Sequence, residues 1–253
     1  MSATALLPRR ARSVAAVAAL LAGALAISGC TSSTGGTADN PVVSVPVTTS
    51  TPSSPSSSIA TVAGSGTCSY PAAGAAAKDV GTPPTSTLLA PKTLTLHLTV
   101  GTANKAEDVV ITLAPQTAPC TVNSIAFLAG KKYFDSTICH RLTTSGIHVL
   151  QCGDPTGTGS GGPGYSFADE LSGSETYPAG TVAMANAGTN TNGSQFFLVY
   201  GDTPLPANYT VFGKITTGLD VISQVAAAGS DDSNGAGDGK PKTSVTITST
   251  STG

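Results

Sequence analysis

Thr93-Leu94-Thr95-Leu96-His97-Leu98-Thr99-Val100 alternates polar and apolar residues at every step. A period of two puts successive side chains on opposite faces of an extended chain, so this stretch reads as a strand with one buried face. Residues 101–107 turn the chain, and 108–113 return as a partner strand. Pro119 then opens a helical pattern with Val122, Ile125, Ala126 and Ala129 on one face. Thr117 stands where a cap is needed and Gly130 where a helix stops. Short strands follow between Gly-rich turns over 137–142, 147–151, 181–185, 196–200 and 211–215. A second helix is predicted over 219–228, a polar Gly- and Asp-rich loop over 230–241, and a closing strand over 244–248. Many short strands, two helices and no βαβ repetition predict a mainly β fold, a closed antiparallel barrel with helical plugs.

Upstream of residue 92 the composition changes. Arg9, Arg10 and Arg12 precede an apolar Ala, Val and Leu run over 13–27, shorter than the roughly 20 residues a membrane span needs. The run ends in Ala26-Ile27-Ser28-Gly29-Cys30. A charged start, an apolar middle and small residues before a cleavage point describe a secretory signal over 1–29. The arginines lack the flanking residues of a twin-arginine signal, so ordinary secretion is expected. The segment before the cysteine resembles the lipobox of bacterial lipoproteins, in which the cysteine, here Cys30, is acylated. The chain is therefore expected to be lipid-anchored on the extracytoplasmic side of the cell membrane. Residues 30–67 make the lipidated cysteine and a Ser-, Thr- and Pro-rich tether with too little apolar surface to offset the entropy of ordering. Residues 68–91 form an extension still rich in Pro, Gly and Ala, and 92–253 form the folded domain.

Loss of the signal removes three of the 12 Lys and Arg and none of the 14 acids, leaving 9 against 14. A mildly acidic chain without a basic run is a poor match for nucleic acid. Besides Cys30 there are four cysteines, Cys68, Cys120, Cys139 and Cys152. An even number in an exported domain suggests two disulfides, whose three possible connectivities stay open. Cys68 is a candidate staple for the extension. No CxxC pair or His/Cys cluster has metal-ligand spacing, and no metal or cofactor is expected.

Gly157-Thr158-Gly159-Ser160-Gly161-Gly162 fits the GxGxxG pattern, but Pro163 and Gly164 follow where a helix must begin, so a dinucleotide site is rejected. Neither GxSxG nor HExxH occurs. Of the three histidines, His97 sits on the polar side of its strand, and nothing pairs His140 or His148 with a nucleophile, which leaves a hydrolase poorly supported.

Two segments concentrate unusual residue choices. One is Tyr133-Phe134-Asp135-Ser136-Thr137-Ile138-Cys139-His140-Arg141, continuing to Leu150-Gln151-Cys152-Gly153-Asp154. The other is Met184-Ala185-Asn186-Ala187-Gly188-Thr189-Asn190-Thr191-Asn192-Gly193-Ser194-Gln195-Phe196-Phe197. Together they resemble the cyclophilin family of peptidyl-prolyl cis–trans isomerases, and Tyr209-Thr210-Val211-Phe212-Gly213-Lys214 resembles the family's later strand. The resemblance covers about 92–248. It implies a closed eight-stranded antiparallel barrel capped by two α-helices, with a groove on its outer face. It implies Arg141 as the catalytic arginine and Gln151, Asn186 and Gln195 as binders of substrate backbone. Val149, Phe197 and Leu205 would line the proline pocket, with Ala185 along the neighbouring wall.

The sequence also departs from the family. Counted back from Gln151, the place of a common pocket-floor Phe falls on His148, and the stretch from Arg141 to Gln151 is about two residues longer, through Thr143-Thr144-Ser145. Pro204 stands where many members have Trp, and Tyr209 where His is frequent. These changes bear on pocket shape, flanking-residue preference and sensitivity to cyclosporin. The resulting expectation is a monomeric isomerase acting on proline-containing chains, exported or at the cell surface. The alternative is a proline-segment binding module or holdase with little turnover. A two-lobed solute-binding lipoprotein would need more chain and fewer strands.

Overall fold

The computed structural model describes residues 67–86, 89 and 91–253. The signal, Cys30 and most of the tether lie outside the described residues. The strands are β1 Thr93–Val100, β2 Lys105–Leu113, β3 Thr137–Ile138, β4 Arg141–Thr143, β5 Val149–Cys152, β6 Thr181–Met184, β7 Phe196–Val199, β8 Val211–Thr217, β9 Asp238–Gly239 and β10 Val245–Thr252. The helices are α1 Pro119–Gly130 and α2 Leu219–Ala227.

All the strands join one antiparallel sheet in the order β3-β10-β1-β2-β8-β6-β7-β5-β4-β9. A closed eight-stranded barrel is therefore not what forms: among the described residues the sheet has ten strands and no ladder joins its two ends. The reason lies in the stretch expected as one strand over 137–142, which breaks at Cys139-His140. Its first half pairs with β10 and its second with β5. The sheet curls because Ile138 and Arg141, near its opposite ends, are three residues apart and can be separated by only about 11 Å. Cys139 N donates to Val245 O at 2.9 Å and His140 N to Gln151 O at 3.0 Å, so the chain itself steps across the gap. The 230–241 loop contributes the outermost strand, β9, against β4.

Inside the curl, alternate residues form the main core: Leu94, Leu96 and Leu98 of β1, Val109 and Ile111 of β2, Leu150, Val182, Phe196, Leu198, Phe212 and Ile247. Val122, Ile125 and Leu128 of α1 and Ile222 and Val225 of α2 pack onto it. Thr117 does not cap α1; its hydroxyl donates to Ala114 O. The cap comes from Glu170, whose carboxylate accepts from Cys120 N at 2.9 Å, Thr121 N at 2.8 Å and the Thr121 hydroxyl at 2.7 Å. A carboxylate there satisfies otherwise unpaired N–H groups and meets the positive end of the helix dipole. The helix is buried beyond its apolar face, at Asn123 and Ser124 too: Asn123 donates to Tyr70 and Pro84 of the extension, and the Ser124 hydroxyl meets that of Tyr165. Cys68 bonds to Cys120, and Tyr70 lies buried with its hydroxyl donating to Cys120 O. The second disulfide, Cys139–Cys152, ties the strand break to β5. No helix among the described residues is long and apolar enough to cross a membrane.

Candidate active site

Register assembles the site. Antiparallel pairing sets Arg141 opposite Gln151, Gln151 opposite Phe197 and Phe197 opposite Ala183. Two residues along, Thr143, Val149 and Val199 make the next row. Because side chains alternate, both rows face away from the core that holds Leu142, Leu150 and Leu198. On this outer face Val149, Tyr177, Ala183, Phe197 and Val199 form a second, smaller apolar cluster. Both faces of β7 are thus covered, which is why all four residues of Phe196–Val199 are buried.

The skin of that cluster opens into a depression of about 130 Å³ lined by Arg141, Ile147, Val149, Gln151, Ala185, Asn186, Phe197, Leu205 and Tyr209. The Tyr209 ring meets Phe197 edge to face with centroids 5.5 Å apart. Tyr177 braces it from behind, its hydroxyl donating to Tyr209 O and accepting from Tyr209 N, both at 3.0 Å. Beside this apolar slot runs a chain of polar contacts. Arg141 Nη1 donates to Gln151 Oε1 at 3.3 Å, and Gln151 Nε2 donates to Gln195 Oε1 at 2.9 Å. Gln195 Nε2 donates to the carbonyls of Gly159 at 3.0 Å and Gly161 at 2.9 Å. Asn186 anchors its own loop: Nδ2 donates to Asn208 O at 2.9 Å and Oδ1 accepts from Gly188 N at 3.2 Å.

Asp238, at the start of β9, grips the other edge of the guanidinium. Arg141 Nε donates to Asp238 Oδ1 at 2.8 Å and Nη2 to Oδ2 at 2.6 Å, a two-point ion pair. The pair raises the Arg141 pKa above its ordinary value and holds the Asp238 carboxyl below the usual carboxylate range. Arg141 has five N–H donors; these three contacts leave two, one on each terminal nitrogen, for a ligand. The arginine is thereby charged, fixed in its plane and still able to donate.

Of the residues expected in the site, Arg141, Val149, Gln151, Ala185, Asn186, Phe197, Leu205 and Tyr209 share the depression, with Gln195 adjoining through Gln151. His148 does not. It turns to the opposite side, with Nδ1 3.2 Å from Asp202 O and its ring against Tyr200. Alternation explains the correction, since 147, 149 and 151 share a face and 148 points away. Ile147 takes the place assigned to His148, and parity counted from Gln151 would have found it. Asp238 was missed altogether, since nothing local in a polar loop announces a partner 97 residues away.

Nor does the glycine-rich stretch open a helix. It wraps the buried Asp154 carboxylate, which accepts from the backbone N–H of Thr156, Thr158, Gly159 and Gly161. Burial alone would raise this carboxyl's pKa. The Thr156 hydroxyl and the loop's N–H groups outweigh it and hold the pKa at about 2. That loop in turn receives Gln195, so the buried charge orders one wall of the site. Gly153, with φ +92°, makes the turn that leads into it; a Cβ there would lie 2.3 Å from Ser194 O.

Comparison with known proteins agrees with this geometry. The profile of the cyclophilin type peptidyl-prolyl cis-trans isomerases matches residues 97–252. A protein of Mycobacterium tuberculosis named "Probable peptidyl-prolyl cis-trans isomerase B" is 49% identical over 167 residues, covering 60% of this chain and 54% of that protein. Its namesake in Mycobacterium leprae is 53% identical over 146 residues, covering 52% and 49%. The chain thus spans about half the length of these curated relatives. Among solved structures, a cyclophilin type peptidyl-prolyl cis-trans isomerase of Cryptosporidium parvum superposes with a TM-score of 0.55 at 29% identity, covering 65% of this chain and 98% of that one.

Proposed function

The chain belongs to the cyclophilin type peptidyl-prolyl cis-trans isomerase family, and from that premise we propose that it accelerates rotation about peptide bonds preceding proline. The observation that carries this reading is one guanidinium, bonded on two sides and free on the third, at the rim of a small apolar slot.

The barrier to amide rotation is about 18–20 kcal/mol because conjugation gives the C–N bond double-bond character. Twisting the bond localises the lone pair on the prolyl nitrogen, which becomes a hydrogen-bond acceptor only in the transition state. A free N–H of Arg141 donates to it there. A charge-assisted bond of this kind is worth about 1.5–3 kcal/mol, and because the ground state cannot make it, the gain appears as rate. At about 1.36 kcal/mol per decade it supplies one to two decades. The slot of Val149, Phe197, Leu205 and Ile147 holds the proline ring and solvates the planar, charge-separated amide less well than water does. Gln151 keeps one Nε2 hydrogen and Gln195 one lone pair on Oε1 for the peptide backbone, so one flank is held while the other turns.

In a proline-coupled peptide assay the wild type should show turnover, and Arg141→Ala should lose about ten- to a hundredfold in kcat/KM while still binding peptide. No turnover by the wild type would hand the site to the alternative, a proline-segment binding module. A polar pocket floor at His148 would have favoured that alternative, but Ile147 lines the slot instead.

The clients we infer are exported or cell-surface chains, whose slow X-Pro steps take tens of seconds to minutes. The support is the signal-like 1–29 segment and the lipobox-like residues before Cys30, both outside the described residues, together with four cysteines paired as disulfides. Mass analysis of the mature chain should find it beginning at an acylated Cys30; an unmodified Cys30 would refute the anchor.

A further inference from the structure

A second and larger cavity, about 640 Å³, adjoins the proline slot and shares Gln151, Ala185 and Asn186 with it. Its far side is not made by the family-matched region, which begins at residue 97. It is made by Ala73, Gly74 and Ala75 of the extension.

This segment is built into place. Ala73 N donates to Gly164 O at 2.9 Å and Ala77 N to Gly162 O at 2.8 Å, so the residues between them bridge two fixed points on the glycine-rich loop. Ser166 N donates to Pro71 O at 3.0 Å. Upstream, Tyr70 packs edge to face on Tyr165 and Phe167, and Cys68 is bonded to Cys120. Gly164, at φ +84°, permits the close approach; a Cβ on it would lie 2.9 Å from the Ala76 Cβ. The three lining residues carry the smallest side chains available, so the cavity stays open behind a fixed wall.

Among the described residues, no charged side chain lines the cavity. Its polar groups are hydroxyls and amides, among them Ser166, Thr191 and Gln195. A charged side chain entering would lose water without gaining a counter-ion, whereas a large uncharged one would fill the volume. We propose that residues 73–75 are the outer wall of a subsite for a large uncharged side chain flanking the proline, and that they set the size limit there. This rests on the reading that proline occupies the neighbouring slot.

The test uses the full chain and labelled proline peptides in which each of the two positions on either side of proline is in turn Gly, Phe, Gln, Glu or Lys. Dissociation constants are read by fluorescence anisotropy. At one position Phe and Gln should bind about tenfold more tightly than Gly, with no such gain for Glu or Lys, in line with pocket discrimination of about 10–200-fold. Ala75 is exposed, so Ala75→Trp leaves the core alone while filling the cavity. It should abolish that preference, bringing the Phe and Gln peptides to the affinity the same variant shows for the Gly peptide, whereas Ala75→Ser should keep the wild-type profile. A wild-type profile flat at all positions, or an equal loss for every peptide in Ala75→Trp, overturns the wall. Absence of turnover with the size preference intact would sink the isomerase reading and leave the wall standing.

Discussion

A guanidinium on a flexible stem donates usefully only if something holds its plane, and here Asp238 does so from the far side of the polypeptide. Removing that carboxylate leaves Arg141 charged but free to swing, with Gln151 as its remaining side-chain partner among the described residues. Small misplacements of a reacting group cost rate steeply. Asp238→Ala should therefore lower kcat about tenfold while peptide affinity changes less than twofold. A matching loss of affinity, or unchanged kcat, would show that Asp238 does not act through the arginine. At this scale a residue's place in the candidate site was readable wherever its own neighbourhood is distinctive. Arg141, Gln151, Gln195 and Phe197 stand in dense local motifs. His148 was misplaced because the lengthened turn before it invited counting by family position where strand parity decided. Asp238 acts through a contact formed only when the sheet curls.

The elements were legible to within a few residues where periodicity is strong, as in β1 and α1, and misread where it is interrupted. The 137–142 strand breaks because its halves serve different neighbours, and the helix cap comes from Glu170, fifty residues after Cys120, where no spacing rule looks. The disulfides reinforce both places. Cross-linking stabilises mainly by restricting the unfolded chain, more so for longer loops. For a separation of 52 residues this amounts to about 4 kcal/mol, against about 3 kcal/mol for 13. Replacing both Cys68 and Cys120 by Ser should therefore lower stability to urea more than replacing Cys139 and Cys152. The reverse order would mean that the extension is already held by Tyr70 and the loop bonds alone.

At the scale of the whole molecule, the sequence announced a mainly β chain with two helices but not how the sheet ends meet. That depends on which ladder each half of the broken strand joins. Charge burial, too, is settled only by the assembled fold. His140 is buried with its pKa lowered, chiefly by loss of water, so below about pH 6.5 the unfolded chain binds its proton in preference and stability begins to fall. Asp154 at about 2 and Asp238 below the carboxylate range contribute stability that is complete above about pH 4 and lost as pH falls through their folded values. Acidification should thus lower the urea midpoint gently below about pH 6.5 and steeply between about pH 4 and 2. A midpoint unchanged down to pH 3 would contradict the buried-charge account.

Turnover depends on whether the free edge of Arg141 acts on the bond as it twists. Exchange spectroscopy on a saturated complex with a proline peptide reads that rate directly, apart from binding. Cis–trans exchange is expected on the wild-type protein, with a rate about ten- to a hundredfold lower on Arg141→Ala and the peptide still bound. Equal exchange rates on the two proteins would contradict that expectation.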